Sequence, residues 1–236
     1  RGWVPRAHQL AIVDASQRRR STLLVAPTGA GKTLSGFLPS LLKLADGKAE
    51  RRGAGLRTLY ISPLKALAAD VARNLTTPIA EMGLKIRTEI RTGDTPVSRR
   101  QRQRTKPPEI LLTTPEQVAL LLSHEDAGYL FADLDTVILD ELHALAASKR
   151  GDLLALNLAR LRCLSPDMIA IGLSATVARP GELRAFLVPQ EEPDNHIVLA
   201  ELIDAGPGKR PEIQILEPGE PLPWSGHSAR YAMADV

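Results

Sequence analysis

The sequence predicts an α/β fold with a mostly parallel central sheet and helices on both faces. Short strand patterns at 21–26, 57–62, 85–91, 109–113, 135–140 and 168–174 alternate with helical patterns at 6–17, 34–45, 64–82, 115–123, 150–164 and 180–187, and such alternation builds parallel sheets through crossover helices. The strand runs are apolar along most of their length rather than at every second residue, as expected of strands covered on both sides. At 236 residues and 44% hydrophobic content, the chain is long enough to bury one sizeable core.

The first helical pattern leads into Ser21-Thr22-Leu23-Leu24-Val25, which reads as a buried strand, and then into Ala26-Pro27-Thr28-Gly29-Ala30-Gly31-Lys32-Thr33. A glycine-rich turn between strand and helix that ends in lysine and threonine is a phosphate-binding loop. Gly29 and Gly31 let the backbone turn tightly enough to aim successive N–H groups at phosphate oxygens, with Pro27, Thr28 and Ala30 completing the cradle. The helix that follows offers its positive end to the same anion. Lys32 is expected to reach the β- and γ-phosphates of a nucleoside triphosphate, and the Thr33 hydroxyl to ligate Mg²⁺.

Each of the next three strand patterns runs into a short polar loop: Ser62-Pro63-Leu64-Lys65, Arg91-Thr92-Gly93-Asp94 and Thr113-Thr114-Pro115-Glu116. Loop N–H groups and short polar side chains in such places can hold phosphates without reading bases, although the same loops serve as ordinary strand-to-helix turns. The strand Thr136-Val137-Ile138-Leu139 then ends on Asp140-Glu141-Leu142-His143. Here Asp140 is expected to hold Mg²⁺ through a water, Glu141 to accept the proton of the water attacking the γ-phosphate, and His143 to sense that phosphate. Paired acids can also simply cap a helix. The phosphate loop more than a hundred residues earlier favours the catalytic role. The last strand pattern ends in Ser174-Ala175-Thr176, whose hydroxyls can bond to the acidic loop and report nucleotide state.

Taken in order, these loops resemble motifs I, Ia, Ib, Ic, II and III of superfamily 2 DExH-box helicases, over nearly the whole chain. Leu59-Tyr60-Ile61-Ser62-Pro63-Leu64-Lys65-Ala66-Leu67-Ala68, Arg91-Thr92-Gly93-Asp94-Thr95-Pro96 and Lys149-Arg150-Gly151-Asp152 are similar to the large helicase-related, or Lhr-type, group. The opening Gly2-Trp3-Val4-Pro5-Arg6-Ala7-His8-Gln9 and the run Arg99-Arg100-Gln101-Arg102-Gln103-Arg104 lean toward its bacterial ligase-associated branch. The resemblance implies a RecA-like P-loop NTPase domain that binds ATP and Mg²⁺. It implies that Gln9 reads the adenine edge with Arg6 against the base, and that Pro63, Lys65, Thr92, Gly93, Thr114 and Pro115 track a nucleic-acid backbone. It further implies translocation 3′ to 5′ on single-stranded DNA in DNA repair, with a DNA ligase or nuclease as partners. RNA or duplex DNA as the track, and a nucleotide-gated module that recruits a partner, remain open alternatives. The family's second RecA-like domain supplies motifs IV to VI and an arginine finger, and none of these is found. The chain is therefore expected to be a first motor domain, residues 1–188, followed by an acidic, proline-rich connector, residues 189–236, and to turn ATP over weakly by itself.

A net charge of +3 hides an asymmetry: residues 87–106 carry seven Arg and Lys against two acids, whereas 189–236 carry three against nine. The basic stretch adjoins one of the polar loops, where a phosphate backbone would have to run and where such charge raises affinity by counterion release. A solvated arginine-rich helix face is the alternative. Aromatics make up 3% of the chain, so base stacking cannot dominate recognition. A terminal anchor is the expected role for Trp3 and Trp224. The single cysteine, Cys163, excludes an internal disulfide and a cysteine-rich zinc site, and is expected to pack in the core. No membrane-length apolar run or signal core is present, and a cytoplasmic location is expected. Seven of the eighteen prolines fall in 189–236, where short strands are expected at 196–200 and 211–216.

Overall fold

The computed structural model describes residues 4–47, 53–175, 177, 179–190 and 197–206. One sheet contains β1 (Thr22–Val25), β2 (Thr58–Ile61), β3 (Thr88–Ile90), β4 (Ile110–Thr113), β5 (Thr136–Leu139), β6 (Ile169–Ser174) and β7 (Glu201–Asp204), in the order β3-β4-β2-β5-β6-β1-β7. Every pairing is parallel. The connections carry α1 (Ala7–Gln17), α2 (Lys32–Asp46), α3 (Lys65–Glu81), α4 (Val97–Thr105), α5 (Pro115–Leu122), α6 (Ala127–Phe131), α7 (Leu142–Ala146), α8 (Lys149–Leu164) and α9 (Pro180–Phe186).

The sheet is buried on both faces because successive side chains of a strand point to opposite sides. Leu23, Leu59, Leu111 and Val137 enter one core cluster with the leucines of α5, α7 and α8, while their neighbours Leu24, Tyr60, Leu112 and Ile138 enter the other with Phe37 and Leu41 of α2 and Val71 and Leu75 of α3. Two glycines allow close approach of helix and sheet. A Cβ at Gly36 of α2 would stand 3.1 Å from Leu173 and 3.2 Å from Ile138, and one at Gly172 of β6 would stand 2.8 Å from Leu142 and 2.9 Å from Leu187. The helices that carry the candidate loops therefore press directly against β5 and β6.

Several expectations shift. The strand expected at 85–91 shortens to Thr88–Ile90, and the one expected at 196–200 lies instead at Glu201–Asp204, paired with β1. The described sheet thus continues through Asp204, beyond the boundary expected at residue 188. Cys163 is exposed rather than packed in the core: α8 buries Leu154, Leu158 and Leu161, and a residue two positions past Leu161 points to the other side of the helix. The arginine run forms α4, with only Gln103 of that helix buried. Trp3, Trp224, Thr176 and the strand expected at 211–216 lie outside the described residues. Among the described residues no helix is long and apolar enough to cross a membrane.

Candidate nucleotide site and nucleic-acid face

The phosphate loop leaves β1 by extending its ladder, with the Ala26 N–H donating to Ser174 O at 3.1 Å and the Ala30 N–H turning back to Pro27 O at 3.1 Å. Gly29 and Gly31 both have φ of +78°, left-handed backbone that a side chain would strain. A Cβ at Gly31 would also crowd Gln9, standing 3.2 Å from its Nε2. Lys32 is buried, with Nζ donating to Ala26 O at 2.9 Å, so the ammonium is held over the loop backbone.

Helix α1 braces this loop from one side. Gln9 is 2% exposed, its Oε1 accepts the Arg6 N–H at 2.9 Å, and its Nε2 faces Gly31. The amide is engaged inside the fold, although its oxygen keeps a second lone pair and its nitrogen two donors. The Arg6 side chain donates from Nη1 to Gly29 O at 3.3 Å, and the buried His8 donates from Nε2 to Ala30 O at 3.1 Å. The sequence assigned no role to His8, because one histidine in a helix carries no spacing signal.

The acidic loop leaves β5 two strands away, across β6. Parallel strands spaced about 4.8 Å apart put the two loops at the same sheet edge, within roughly 10 Å of each other. Asp140 is buried, and its Oδ1 accepts the Glu141 N–H at 3.0 Å while its Oδ2 accepts the Tyr60 hydroxyl. Burial, and then the charge of Asp140, push the Tyr60 pKa upward, so the phenol remains a donor. Its ring stacks on Phe37 of α2, centroids 5.3 Å apart. A continuous path thus runs from the phosphate-loop helix through Phe37 and Tyr60 to Asp140. Glu141 has φ of +47° and ψ of +46°, a left-handed conformation that costs a non-glycine residue about 1–2 kcal/mol and that recurs at functional sites. Nδ1 of His143 lies 2.8 Å from Ser174 Oγ and 3.5 Å from Glu141 Oε2. His143 therefore joins the acidic loop to Ser174 at the end of β6.

A profile of the DEAD/DEAH box helicase family matches residues 6–183. The chain belongs to that family. It is 44% identical over 197 residues to the Lhr helicase and probable uracil glycosylase of Mycolicibacterium smegmatis, an alignment covering 79% of this chain and 13% of that protein. It is 42% identical over 195 residues to the ATP-dependent helicase Lhr-Core of Methanothermobacter thermautotrophicus, covering 77% and 22% respectively. The structure of Mycobacterium smegmatis helicase Lhr bound to ssDNA and AMP-PNP superposes with a TM-score of 0.73 at 40% identity, covering 87% of this chain and 26% of that one. The chain thus spans about a fifth or less of the length of these two curated relatives, and its fold is that of a RecA-like helicase domain.

In this helicase domain the three polar loops after β2, β3 and β4 stand at the same edge as the nucleotide loops. Lys65 and Gly93 are exposed and Pro63 is half-buried, whereas Thr92, Thr114 and Pro115 are buried. The last three shape the loops from within; the Thr92 N–H, for example, donates to Thr95 Oγ1 at 2.9 Å. Lys65 Nζ is bonded to both carboxylate oxygens of Asp94, at 2.9 and 3.1 Å. Helices α3 and α4 begin here without side-chain caps or acids in their first turns, leaving N–H groups directed outward.

The basic helix divides into two halves. Arg102 pairs with Glu89 at 2.7 Å and Arg104 with Asp126 at 2.8 Å, while Arg99 is exposed and Arg100 half-buried. Beneath them Arg91, 3% exposed, donates from Nη1 to Arg100 O at 2.9 Å. Burial, reinforced by Arg100 and Arg104, lowers its pKa to about 10. At the opposite edge of the sheet a cleft of about 660 Å³ is lined by Arg19, Arg57, Asp133 and Asp135 among others. Its charges are largely paired, Asp135 with Lys43 at 2.8 Å and with Arg19 at 2.5 Å, and it lies away from every loop named above.

Proposed function

We propose that this helicase domain binds ATP and Mg²⁺ and drives a nucleic-acid-dependent ATPase that translocates 3′ to 5′ on single-stranded DNA in DNA repair. The observation that carries the reading is the link from the phosphate-loop helix through Phe37 and Tyr60 to Asp140, which brings lysine and acids remote in sequence to one sheet edge. In this role Lys32 exchanges its bond to Ala26 O for the β- and γ-phosphates. Thr33 would offer Mg²⁺ a hard oxygen ligand and Asp140 would hold it through a water, oxygen donors of the kind that ion accepts. When bound, Mg²⁺ would neutralise charge on the transferring phosphoryl group. Glu141 takes the proton of the attacking water, and His143 with Ser174 holds the acidic loop in register with β6.

On the nucleic-acid face, exposed Lys65, Gly93 and the uncapped starts of α3 and α4 suit a phosphate backbone. The relative solved with ssDNA and AMP-PNP supports DNA as the track. A second RecA-like domain elsewhere in the protein would supply the arginine finger, and the ligase-associated branch, a ligase or nuclease partner and a cytoplasmic location belong to the same reading.

The test is ATP turnover of the full-length protein with single-stranded DNA, single-stranded RNA and duplex, alongside Glu141→Gln. Strong stimulation by single-stranded DNA, lost in the variant while ATP binding persists, is expected. Equal stimulation by RNA would overturn the DNA assignment, and a variant that kept its turnover would remove Glu141 from its role.

A further inference from the structure

We propose that Arg150 is a positioning residue that transmits the state of the acidic loop to two nucleic-acid loops at once. Its guanidinium donates from Nε and Nη2 to the Glu116 carboxylate, at 2.6 and 3.1 Å, and from Nη1 to Pro63 O at 2.7 Å. Pro63 lies just before α3, at the end of β2, and Glu116 lies in the first turn of α5, after β4. One side chain therefore staples the loops of two adjacent strands, with the planar fork that a lysine cannot reproduce.

The other end of the connection is equally short. Arg150 is the second residue of α8, which only two residues separate from α7, and α7 follows Glu141 and carries His143. The joint has no slack. The Gly151 N–H donates to Ser148 O at 2.7 Å and the Ser148 N–H to Leu145 O at 3.2 Å, while a Cβ at Gly151 would stand 2.6 Å from Ala146 O and 2.7 Å from Leu145 O. Glycine is thus required for α8 to start directly on the end of α7. Two helical turns on, the same helix makes a second bond to the loop after β4, from buried Asn157 Nδ2 to Pro115 O at 3.0 Å. Movement of the Asp140–His143 loop must displace Arg150, and with it both loops.

Energetics argue for geometry over stability. The Arg150 and Glu116 side chains are 39% and 47% exposed, and exposed ion pairs contribute little to folding. Burial alone would raise the Glu116 pKa, but the bonds from Arg150 and Thr114 hold it below the usual range, which favours the ionised form of the staple.

The inference rests on the proposed nucleic-acid-dependent ATPase, and the experiment separates the two. In the full-length protein, affinity for AMP-PNP is measured with and without oligo-dT, and affinity for oligo-dT with and without AMP-PNP. Coupling between two ligands must appear equally in both directions. Arg150→Ala is expected to bind AMP-PNP alone as the unaltered protein does, to lose on the order of tenfold mutual tightening, and to need more DNA for half-maximal ATP turnover at little-changed KM for ATP. Arg150→Lys should recover only part of the coupling, and it provides the same comparison should the alanine variant fail to fold. Damage confined to the DNA loops would instead weaken DNA binding by the same factor with and without nucleotide, and that result would overturn the inference. Undiminished coupling in Arg150→Ala would do the same while leaving the ATPase reading intact. No stimulation of the unaltered protein by any nucleic acid would sink the ATPase reading first.

Discussion

Glu141 and Tyr60 show how much chemistry rests on single side chains beside Asp140. Glu141→Gln keeps the shape and the left-handed backbone but cannot accept a proton, so turnover should fall by about 10²–10⁴-fold with nucleotide affinity retained, as read by steady-state kinetics and calorimetry. Tyr60→Phe would leave the buried Asp140 Oδ2 without its donor. A stability loss of about 1–3 kcal/mol in urea unfolding is expected, together with weaker binding of Mg²⁺ and nucleotide. Unchanged stability and affinity would mean that the phenol does not orient Asp140. Asp140 and Glu141 were legible in sequence because two acids ending an apolar strand form a local pattern. Tyr60 and His8 were not, since their partners lie 80 and 22 residues away and no spacing marks them.

At the scale of elements, α4 offers a sharper test than its composition suggested. The sequence placed all four arginines of the run in one basic patch, but side-chain pairing neutralises Arg102 and Arg104 against Glu89 and Asp126. Replacing Arg99 and Arg100 with glutamine should therefore reduce the salt dependence of single-strand binding, by about one unit of slope for each phosphate no longer neutralised. The same change at Arg102 and Arg104 should act mainly on stability. Equal effects on the salt slope would make the run one undifferentiated basic patch, and an unchanged slope would return it to a solvated face. The α7–α8 joint is open to a parallel test. Gly151→Ala forces a methyl group against two backbone oxygens and should destabilise the domain by about 1–3 kcal/mol, measured as a lower midpoint of thermal unfolding.

For the whole molecule, the opposite sheet edge contributes to behaviour in acid. Asp135 lies there with its pKa held low: burial would raise it, but hydrogen bonds and charge from Lys43, with those from Arg19, prevail. A depressed folded pKa means that this contribution to stability is fully present above the unfolded value, about 3.9, and is lost as pH falls through the folded one. Glu109, held low by Arg87 against its own burial, adds in the same direction. Urea midpoints should fall on acidification below about pH 4, and Asp135→Asn should flatten that limb. A limb of the same steepness in the variant would show that Asp135 is not responsible.

By itself the sequence determined the parallel α/β architecture, the phosphate loop, the acidic pair and the edge at which they stand, because strand periodicity and loop composition are local properties that survive in any context. Only the tertiary structure decided which side chains brace those loops, that three of the six backbone-tracking candidates are buried, that Cys163 faces outward, and that β7 joins the sheet. Each of these depends on helix rotation or on partners far apart in the chain, and so on packing that no local pattern encodes. The Arg150 staple belongs to the same class: its residues are scattered over 87 positions, and only the fold makes them neighbours.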